Sequence, residues 1–193
     1  MLDALMHVAA NKVKCVFLLI NFVFAKGLLF EQGVARSSKK MNPFCIQKAT
    51  LVDLPQLGKL LGDSPVACLL SDSSKPTVGM RLLLEDSERG LVFVARKGGD
   101  VMGMVSLGIT ISTAEGGYVL LVEDLVVEAG SRNQGVGSML LDHTVRYAKD
   151  NGFLRMTLLS ERMTEAGRRF FAKRSFVDSE MIPMRLVFSP QEG

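Results

Sequence analysis

The stretch that decides the fold is LLVEDLVVEAGSRNQGVGSMLLDHTVRYAKDN, which runs from Leu120 to Asn151. Its beginning, residues 119–127, is almost entirely Val and Leu, and apolar residues on both faces are typical of a strand that is covered on both sides. After a polar turn at 128–134, apolar residues recur at helical spacing until Asn151-Gly152 ends the helix. The stretch therefore predicts a strand, a glycine-containing loop and a helix.

The loop between this strand and this helix reads Arg132-Asn133-Gln134-Gly135-Val136-Gly137-Ser138. The first N–H groups of a helix have no partner inside it, and with the helix dipole they attract an anion. Gly135 and Gly137 lack the Cβ atoms that would hold a phosphate away, and Arg132 adds a guanidinium suited to phosphate. Because Gly-x-Gly also occurs in ordinary tight turns, the loop alone leaves both interpretations open.

The spacing around the loop narrows the choice. Val126-Val127, four residues and then Arg132-x-x-Gly135-x-Gly137 resemble the R/Q-x-x-G-x-G/A motif of the GNAT acyltransferase superfamily. The preceding strand, Glu123-Asp124-Leu125-Val126-Val127, is similar to that of many members, glucosamine-6-phosphate N-acetyltransferases among them. The resemblance implies that the loop holds the pyrophosphate of acetyl-CoA. Many members have Gly where this chain has Asn133, which is a mild departure because Asn tolerates a left-handed backbone.

The order of predicted elements supports the same family. Residues 44–188 predict a strand, two helices, three strands, a helix, a strand, a helix and a last strand near Met184–Phe188. This order is similar to the GNAT fold, an α/β (α+β) architecture in which helices lie on both faces of a mixed, mostly antiparallel central sheet.

Residues 1–40 differ from the rest of the chain. Their apolar run from Cys15 to Ala25 is shorter than the roughly 20 residues of a membrane-spanning helix. The segment is a signal or weak anchor, an amphipathic addition to the domain, or upstream sequence that natural translation does not include. We favour the last interpretation because the family resemblance begins just after Met41, so we expect the N-acetyltransferase domain to span residues 41–193.

Composition excludes several classes of function. Residues 1–40 carry a net charge of +4, so the rest of the chain carries about −1 of the total of +3, and this near-neutral remainder argues against a nucleic-acid partner. Three cysteines show no metal-ligand spacing and two histidines are too few for a His-based site, so no metal site is predicted. The cysteines also indicate a reducing compartment. His143 lies off the apolar face of its helix and is expected to be solvated.

A second motif follows in the predicted last helix. Residues 164–176, TEAGRRFFAKRSF, resemble the N-x-x-A-x-x-F-Y-x-x-x-G-F segment of the superfamily. Thr164 replaces Asn and still caps a helix, and Ser175 replaces Gly. Phe171 replaces a Tyr that, in many members, is thought to protonate the departing CoA thiolate. Phe171 has no proton to give, so we expect it to pack against the pantetheine or thioester, and Phe170 to lie in the core.

The resemblance also implies a set of site residues. Strand alternation would place Glu123 and Asp124 on opposite faces, so one of them could act as the catalytic base, through water. An N–H near Val126 could stabilise the oxyanion, and the main chain of Val126 and Val127 could pair with the pantetheine amides. The expected cofactor-binding residues are Leu125, Val126, Val127, Arg132, Asn133, Gln134, Gly135, Val136, Gly137, Ser138, Thr164 and Phe171. A basic run either attracts the nucleotide phosphate or is a solvated helix face; it comprises Arg168, Arg169, Lys173 and Arg174.

Together these observations predict an acetyl-CoA-dependent N-acetyltransferase, with acetyl-CoA as co-substrate and direct attack of a primary amine on the thioester. The acceptor is a small-molecule or peptide amine. Because an acetyl-CoA enzyme has no supply of its co-substrate outside the cell, we expect a cytoplasmic protein without stable membrane association. Homodimers are common in the superfamily, which leaves a homodimer open. The alternative is a non-catalytic acyl-CoA-binding or sensor module, which the loss of the tyrosine at Phe171 motivates.

Overall fold

The computed structural model describes residues 43–63, 75–160 and 163–188. The predictions for residues 1–40 lie outside these ranges, as do residues 64–74. The described elements are β1 (Cys45–Lys48), a 3₁₀ turn (Leu51–Asp53), α1 (Leu54–Gly62), α2 (Lys75–Glu85), β2 (Gly90–Lys97), β3 (Asp100–Ser112), β4 (Gly117–Val127), a second 3₁₀ turn (Ala129–Ser131), α3 (Val136–Asp150), β5 (Met156–Leu158) and α4 (Glu165–Ala172).

The strands form one sheet in the order β1-β2-β3-β4-β5. The first three neighbouring pairs are antiparallel, and β4 pairs with β5 in parallel. Gly98, at φ +64°, supplies the left-handed backbone of the turn between β2 and β3. The predicted mixed and mostly antiparallel sheet is therefore confirmed.

Helices cover both faces of the sheet. On one face, Leu140 of α3 packs in a core that includes Leu120 and Val122 of β4. On the other, Leu57 of α1 and Met80 of α2 pack against the opposite sides of the same strands. Leu57 is fully buried, and truncation of such a side chain to Ala typically costs about 2–5 kcal/mol. These two layers complete the predicted fold.

The entry into α1 is held by an ion pair rather than by a side-chain N-cap. Asp53 occupies the N-cap position of α1, but its side chain makes no cap hydrogen bond there. It accepts a hydrogen bond from the Thr50 N–H at 2.9 Å and pairs with Arg96 of β2. Gln56 in turn accepts from the Val101 N–H at 2.8 Å. These contacts fasten the start of α1 to the β2–β3 hairpin.

Two predictions need correction. His143 is half-buried, and its ring lies edge-on to Phe93 at 4.8 Å between centroids, so it is a packing residue rather than a solvated one. Residues 184–188 form no strand in the structure, and their side chains are exposed, Met184 by 97%. The apolar composition of this segment predicted a strand, but the segment is not part of the five-stranded sheet. Every helix in the described ranges is too short or too polar to span a bilayer.

Candidate functional site

The central feature of the site is a bulge in β4. Ser106 of β3 pairs with Asp124, whereas the next residue, Leu107, pairs with Val122, so Glu123 is an extra residue. Val122 and Leu125 both face the α3 side although they lie three positions apart. A bulge breaks strand alternation in this way. The prediction that Glu123 and Asp124 lie on opposite faces assumed a regular strand, and the bulge shows that this assumption is wrong.

The bulge decides which main-chain groups look outward from the sheet. Before it, the Leu120 N–H points to the β5 side, where it donates to the Arg155 carbonyl at 2.9 Å. After it, the Glu128 N–H points to β3 and donates to the Met102 carbonyl at 2.9 Å. Because such bonds alternate along an antiparallel pair, Val126 turns its N–H and C=O toward β3. Leu125 and Val127 turn theirs toward the β5 edge.

That edge is open beyond Val122. The register between β4 and β5 covers Leu120–Val122 and Met156–Leu158. Among the described residues, no strand pairs with β4 from Glu123 to Val127 on this side. The Val127 carbonyl instead accepts a hydrogen bond from Arg132 Nε at 3.1 Å. Apart from this carbonyl, the outward-facing main-chain groups of Leu125 and Val127 are paired with no described strand, and they lie directly before the glycine loop.

The glycine loop has a defined conformation. Asn133 at φ +60° and Gly135 at φ +84° are both left-handed, which explains why Asn is accepted where many GNAT members have Gly. The Gln134 side-chain amide donates to the Gly130 carbonyl at 2.8 Å. Hydrogen bonds from Gly130 and Ser131 hold the pKa of the Glu128 carboxyl below its usual value, so this carboxylate stays charged as it orders the turn.

The start of α3 is open on its outer side. Val136 is buried and anchors the first turn, whereas Gln134 and Gly135 are exposed and Ser138 is half-buried. A Cβ atom added to Gly135 would meet nothing within 4 Å. One added to Gly137 would lie 3.5 Å from Val127 and 3.8 Å from Phe170, both ordinary contacts. The fold therefore leaves space in front of the first N–H groups of the helix.

The second motif forms α4 and the turn that follows it. Thr164 caps the helix, because its hydroxyl oxygen accepts from the Gly167 N–H at 3.1 Å. Phe171 packs edge-on between Phe170 and Phe176, at 5.1 and 5.5 Å between ring centroids. Ser175 has φ +64°, the left-handed conformation that the Gly of the motif would supply.

No tyrosine takes the place of Phe171. Tyr118, at the start of β4, is 59% exposed, and Tyr147 of α3 packs against Phe93 at 5.0 Å between ring centroids. The chain has no other tyrosine. No phenolic hydroxyl therefore lies at position 171 or in the aromatic cluster around it to act as the acid of the motif.

A cavity of about 470 Å³ lies between α3 and α4. Its lining residues are Ser138, Asp142, Ala166, Arg169, Phe170, Lys173 and Arg174. Arg174 is committed to structure, because it pairs with Asp142 and its guanidinium lies over Phe170. Arg169 makes only an exposed pair with Glu165, and Lys173 makes no ion pair within the described residues. The cations of this wall that stay available to a ligand are therefore Arg169 and Lys173.

A smaller cavity of about 130 Å³ lies at the end of β4, beside α1. It is lined by Leu60, Asp63, Val126, Val127, Glu128, Ala129 and Arg132. The sequence patterns assigned no site role to Leu60 of α1 or to Asp63, which directly follows α1; both are far from β4 in the sequence. Val126 takes part through its side chain, which packs toward α1.

Residues 59–176 match the model of the acetyltransferase (GNAT) family. The chain belongs to the GNAT family. The match confirms the predicted family, and the sheet with helices on both faces confirms the predicted fold. Members of this family transfer acetyl groups and generally use acetyl-CoA. A comparison with curated protein sequences gives no significant match.

Solved structures of the same fold are similar to this GNAT chain. A transcriptional regulator from Bacillus halodurans C-125 is 23% identical, with a TM-score of 0.65 over 75% of this chain and 99% of its own. A ribosomal-protein-alanine N-acetyltransferase from Brucella melitensis biovar Abortus 2308 is 20% identical, with a TM-score of 0.62 over 76% and 99%. A predicted acetyltransferase with acetyl-CoA from Clostridium acetobutylicum is 16% identical, with a TM-score of 0.61 over 74% and 96%. At these identities the likeness shows the fold.

The two candidate bases, Glu123 and Asp124, differ in their surroundings. Asp124 is half-buried, and its Oδ2 accepts a hydrogen bond from Ser106 Oγ at 2.6 Å. Glu123, the extra residue of the bulge, is exposed. Ser106 was not predicted as a site residue, although a lone polar residue between Val105 and Leu107 in an apolar strand is a recognisable signal.

Proposed function

We propose that this protein is an acetyl-CoA-dependent N-acetyltransferase in which a primary amine attacks the thioester directly. One observation carries the proposal: the open edge at the end of β4 is connected by the glycine loop to the exposed start of α3. A ligand that combines amide groups with a pyrophosphate matches this sequence of main-chain donors and acceptors.

The phosphates would lie at the start of α3. The N–H groups of Val136, Gly137 and Ser138 are the first of the helix and have no partner inside it. The left-handed backbone at Asn133 and Gly135 shapes the loop around the same space. Across the larger cavity, Arg169 and Lys173 add positive charge for a further phosphate.

The pantetheine amides would pair with the open edge. Leu125 offers its outward-facing N–H and C=O groups and Val127 its N–H group, so in our proposal they take the main-chain role expected of Val126. Acetyl-CoA supplies the acyl thioester itself. Phe170, which a Cβ at Gly137 of α3 would meet at 3.8 Å, gives an apolar wall beside α3, and Phe171 packs edge-on behind it.

The chain must lower two costs of the reaction. An ordinary amine has a pKa of about 10.4, so its deprotonation at pH 7 costs roughly 4–5 kcal/mol, and Glu123 or Asp124 would accept that proton. An N–H of Leu125 or Val127 would stabilise negative charge that develops on the acyl oxygen, which is worth about 3 kcal/mol when well placed. A thiol has a pKa near 8.5, so its thiolate leaves without a tyrosine acid.

The acceptor would enter from the smaller cavity, on the α1 side of β4. We propose a small-molecule or peptide amine. Since acetyl-CoA is made and used inside cells, we also infer a cytoplasmic location.

The test has two stages. Thermal unfolding is first followed with acetyl-CoA, CoA, NAD and ATP, and a bound ligand at 100 times its Kd adds about 2.7 kcal/mol of stability. Thiol release from acetyl-CoA is then measured with a panel of amines. We expect stabilisation by acetyl-CoA and turnover with at least one amine. Saturable binding without any turnover would instead indicate the acyl-CoA-binding module, and no binding would overturn the proposal.

We further propose that the acetyltransferase domain spans residues 41–193. The compact unit that begins at Asn42 supports this boundary. A truncated chain that starts at Met41 should fold and show the same acetyl-CoA affinity as the full chain. An insoluble or non-binding product would count against the boundary.

A further inference from the structure

Ser106 is a polar residue in an apolar position. It is fully buried in the middle of β3, and its register partners are Val92 of β2 and Asp124 of β4. Burying a hydroxyl group costs free energy unless the group is hydrogen-bonded. Alanine would fill nearly the same volume without that cost. The hydroxyl must therefore be explained by its partner.

That partner is the Asp124 carboxylate, at 2.6 Å from Ser106 Oγ to Asp124 Oδ2. The distance is in the range of a charge-assisted hydrogen bond. Within the described residues, this is the carboxylate's one hydrogen bond, and no cation pairs with it. Asp53 shows the contrast, since it is buried against Arg96 and the Thr50 N–H. Asp53 is thus neutralised by a cation, whereas Asp124 is held by one neutral donor.

Asp124 also lies where the proposed chemistry needs it. Ser106 alternates with Val105 and Leu107, which face α3, so the Ser106–Asp124 pair lies on the face that α1 and α2 cover. Val126, two residues further along β4, packs on that face and lines the smaller cavity. Glu123, by contrast, is exposed, and its carboxylate makes no hydrogen bond to any described residue. The pair thus sits beside the proposed path of the acceptor amine.

We propose that Ser106 is a positioning residue, and that it holds the Asp124 carboxylate as the base of the reaction. The inference rests on the proposed function. Asp124 accepts a proton from the acceptor ammonium, directly or through water, and the nitrogen lone pair then forms the C–N bond. The C–S bond breaks, its electron pair leaves with the CoA thiolate, and the nitrogen loses its second proton to solvent or to that thiolate.

The experiment compares Ser106→Ala, Asp124→Asn and the double variant with the wild-type full chain. We expect Asp124→Asn to lower kcat by about 100-fold or more. Ser106→Ala should lower kcat about tenfold, as loss of one hydrogen bond to a charged group implies. The KM and Kd for acetyl-CoA should stay within about twofold, because neither residue contacts the proposed cofactor edge. In the Asp124→Asn background, Ser106→Ala should have no further effect.

Two further variants separate positioning from packing. Ser106→Thr restores the donor and should recover most of kcat. Thr144→Val removes another fully buried hydroxyl, which donates to the Leu140 carbonyl inside α3, and should change thermal stability without changing kcat.

Each outcome decides something different. A wild-type protein inactive with every amine sinks both the proposed function and this inference. An active wild type with an unchanged Ser106→Ala variant overturns the inference alone. So does a Ser106→Ala loss that is equally large in the Asp124→Asn background, because Ser106 then acts through another group.

Discussion

Arg174 Nε donates to Asp142 Oδ1 at 2.6 Å, and a second guanidinium nitrogen lies 3.2 Å from Asp142 Oδ2. The same guanidinium is 4.7 Å from the centroid of the Phe170 ring. This fork joins the turn directly after α4 to the middle of α3. It also forms one wall of the larger cavity.

Replacing Arg174 tests that link. Arg174→Ala should lower the free energy of unfolding by about 1–2 kcal/mol, from the bidentate pair, the cation–π contact and the lost packing. Arg174→Lys should recover less than half, because an ammonium cannot form the fork. Urea denaturation measures both. Arg169→Ala, which breaks an exposed pair, serves as the control and should stay within about 0.5 kcal/mol of wild type. Equal losses from the two alanine variants would contradict the assignment.

The two ends of α3 allow a matched test of the phosphate site. Gly135 and Gly152 both have positive φ, and a Cβ at either would meet nothing within 4 Å. Gly135→Ala and Gly152→Ala should each cost about 1–2 kcal/mol of stability through backbone strain. Only Gly135→Ala should also weaken acetyl-CoA binding in calorimetry, at least tenfold. If both variants keep the wild-type affinity, the start of α3 is not the phosphate site.

The Asp53–Arg96 pair predicts how stability depends on pH. Burial alone would raise the pKa of Asp53, but hydrogen bonds from Thr50 and Arg96 and the Arg96 charge outweigh it and lower that pKa below 3.8. The folded protein therefore binds this proton less readily than the unfolded chain. Its stabilising contribution is complete above about pH 4 and is lost as pH falls through the folded pKa.

Asp53→Ala should remove this contribution. It leaves Arg96 without its carboxylate, and breaking a buried pair costs about 3 kcal/mol near neutral pH. The difference from wild type should shrink as the pH approaches that of acid unfolding. Denaturation midpoints between pH 3 and 7 provide the measurement. Glu85→Gln, in the exposed Arg81–Glu85 pair, should be nearly neutral throughout. A pH-independent Asp53→Ala effect would refute the linkage.

Phe171→Tyr asks whether the missing acid limits turnover. The side chain is half-buried among Phe170 and Phe176, so an added hydroxyl at its para position should leave acetyl-CoA affinity nearly unchanged. A well-placed general acid contributes about 100-fold or more, but a thiolate leaves readily, so we expect kcat to rise by less than about tenfold. Steady-state kinetics of the variant and of Phe170→Tyr, its neighbour control, measure this. A rise of 100-fold would show that thiolate protonation limits the wild-type enzyme.

Local patterns predicted the strand, loop and helix around Gly135 well. The helix from Val136 to Asp150 follows from its apolar period, and the stop at Gly152 follows from its left-handed backbone. The cap at Thr164 likewise depends on residues three positions apart. Each of these features is fixed by interactions within a few residues, which a sequence displays directly.

Features that depend on residues far apart in the chain were not predicted from the sequence. The bulge at Glu123 exists only as a register between β3 and β4, and Ser106 acquires meaning only opposite Asp124. The packing of His143 depends on Phe93, fifty positions away. The apolar run at 184–188 shows the opposite error, because composition suits a strand but cannot provide the neighbour that a strand needs.

Glu123, the extra residue of the bulge, has a structural role that does not depend on its carboxyl group. By its presence alone it shifts the phase of every later residue in β4, so Leu125 and Val127 rather than Val126 address whatever lies along the edge. Glu123→Gln keeps that spacing, whereas deletion of Glu123 would send the alternate set of amides outward. If the site keeps its ligand affinity in Glu123→Gln but loses it when Glu123 is deleted, then its shape depends on the extra residue and not on the carboxyl group.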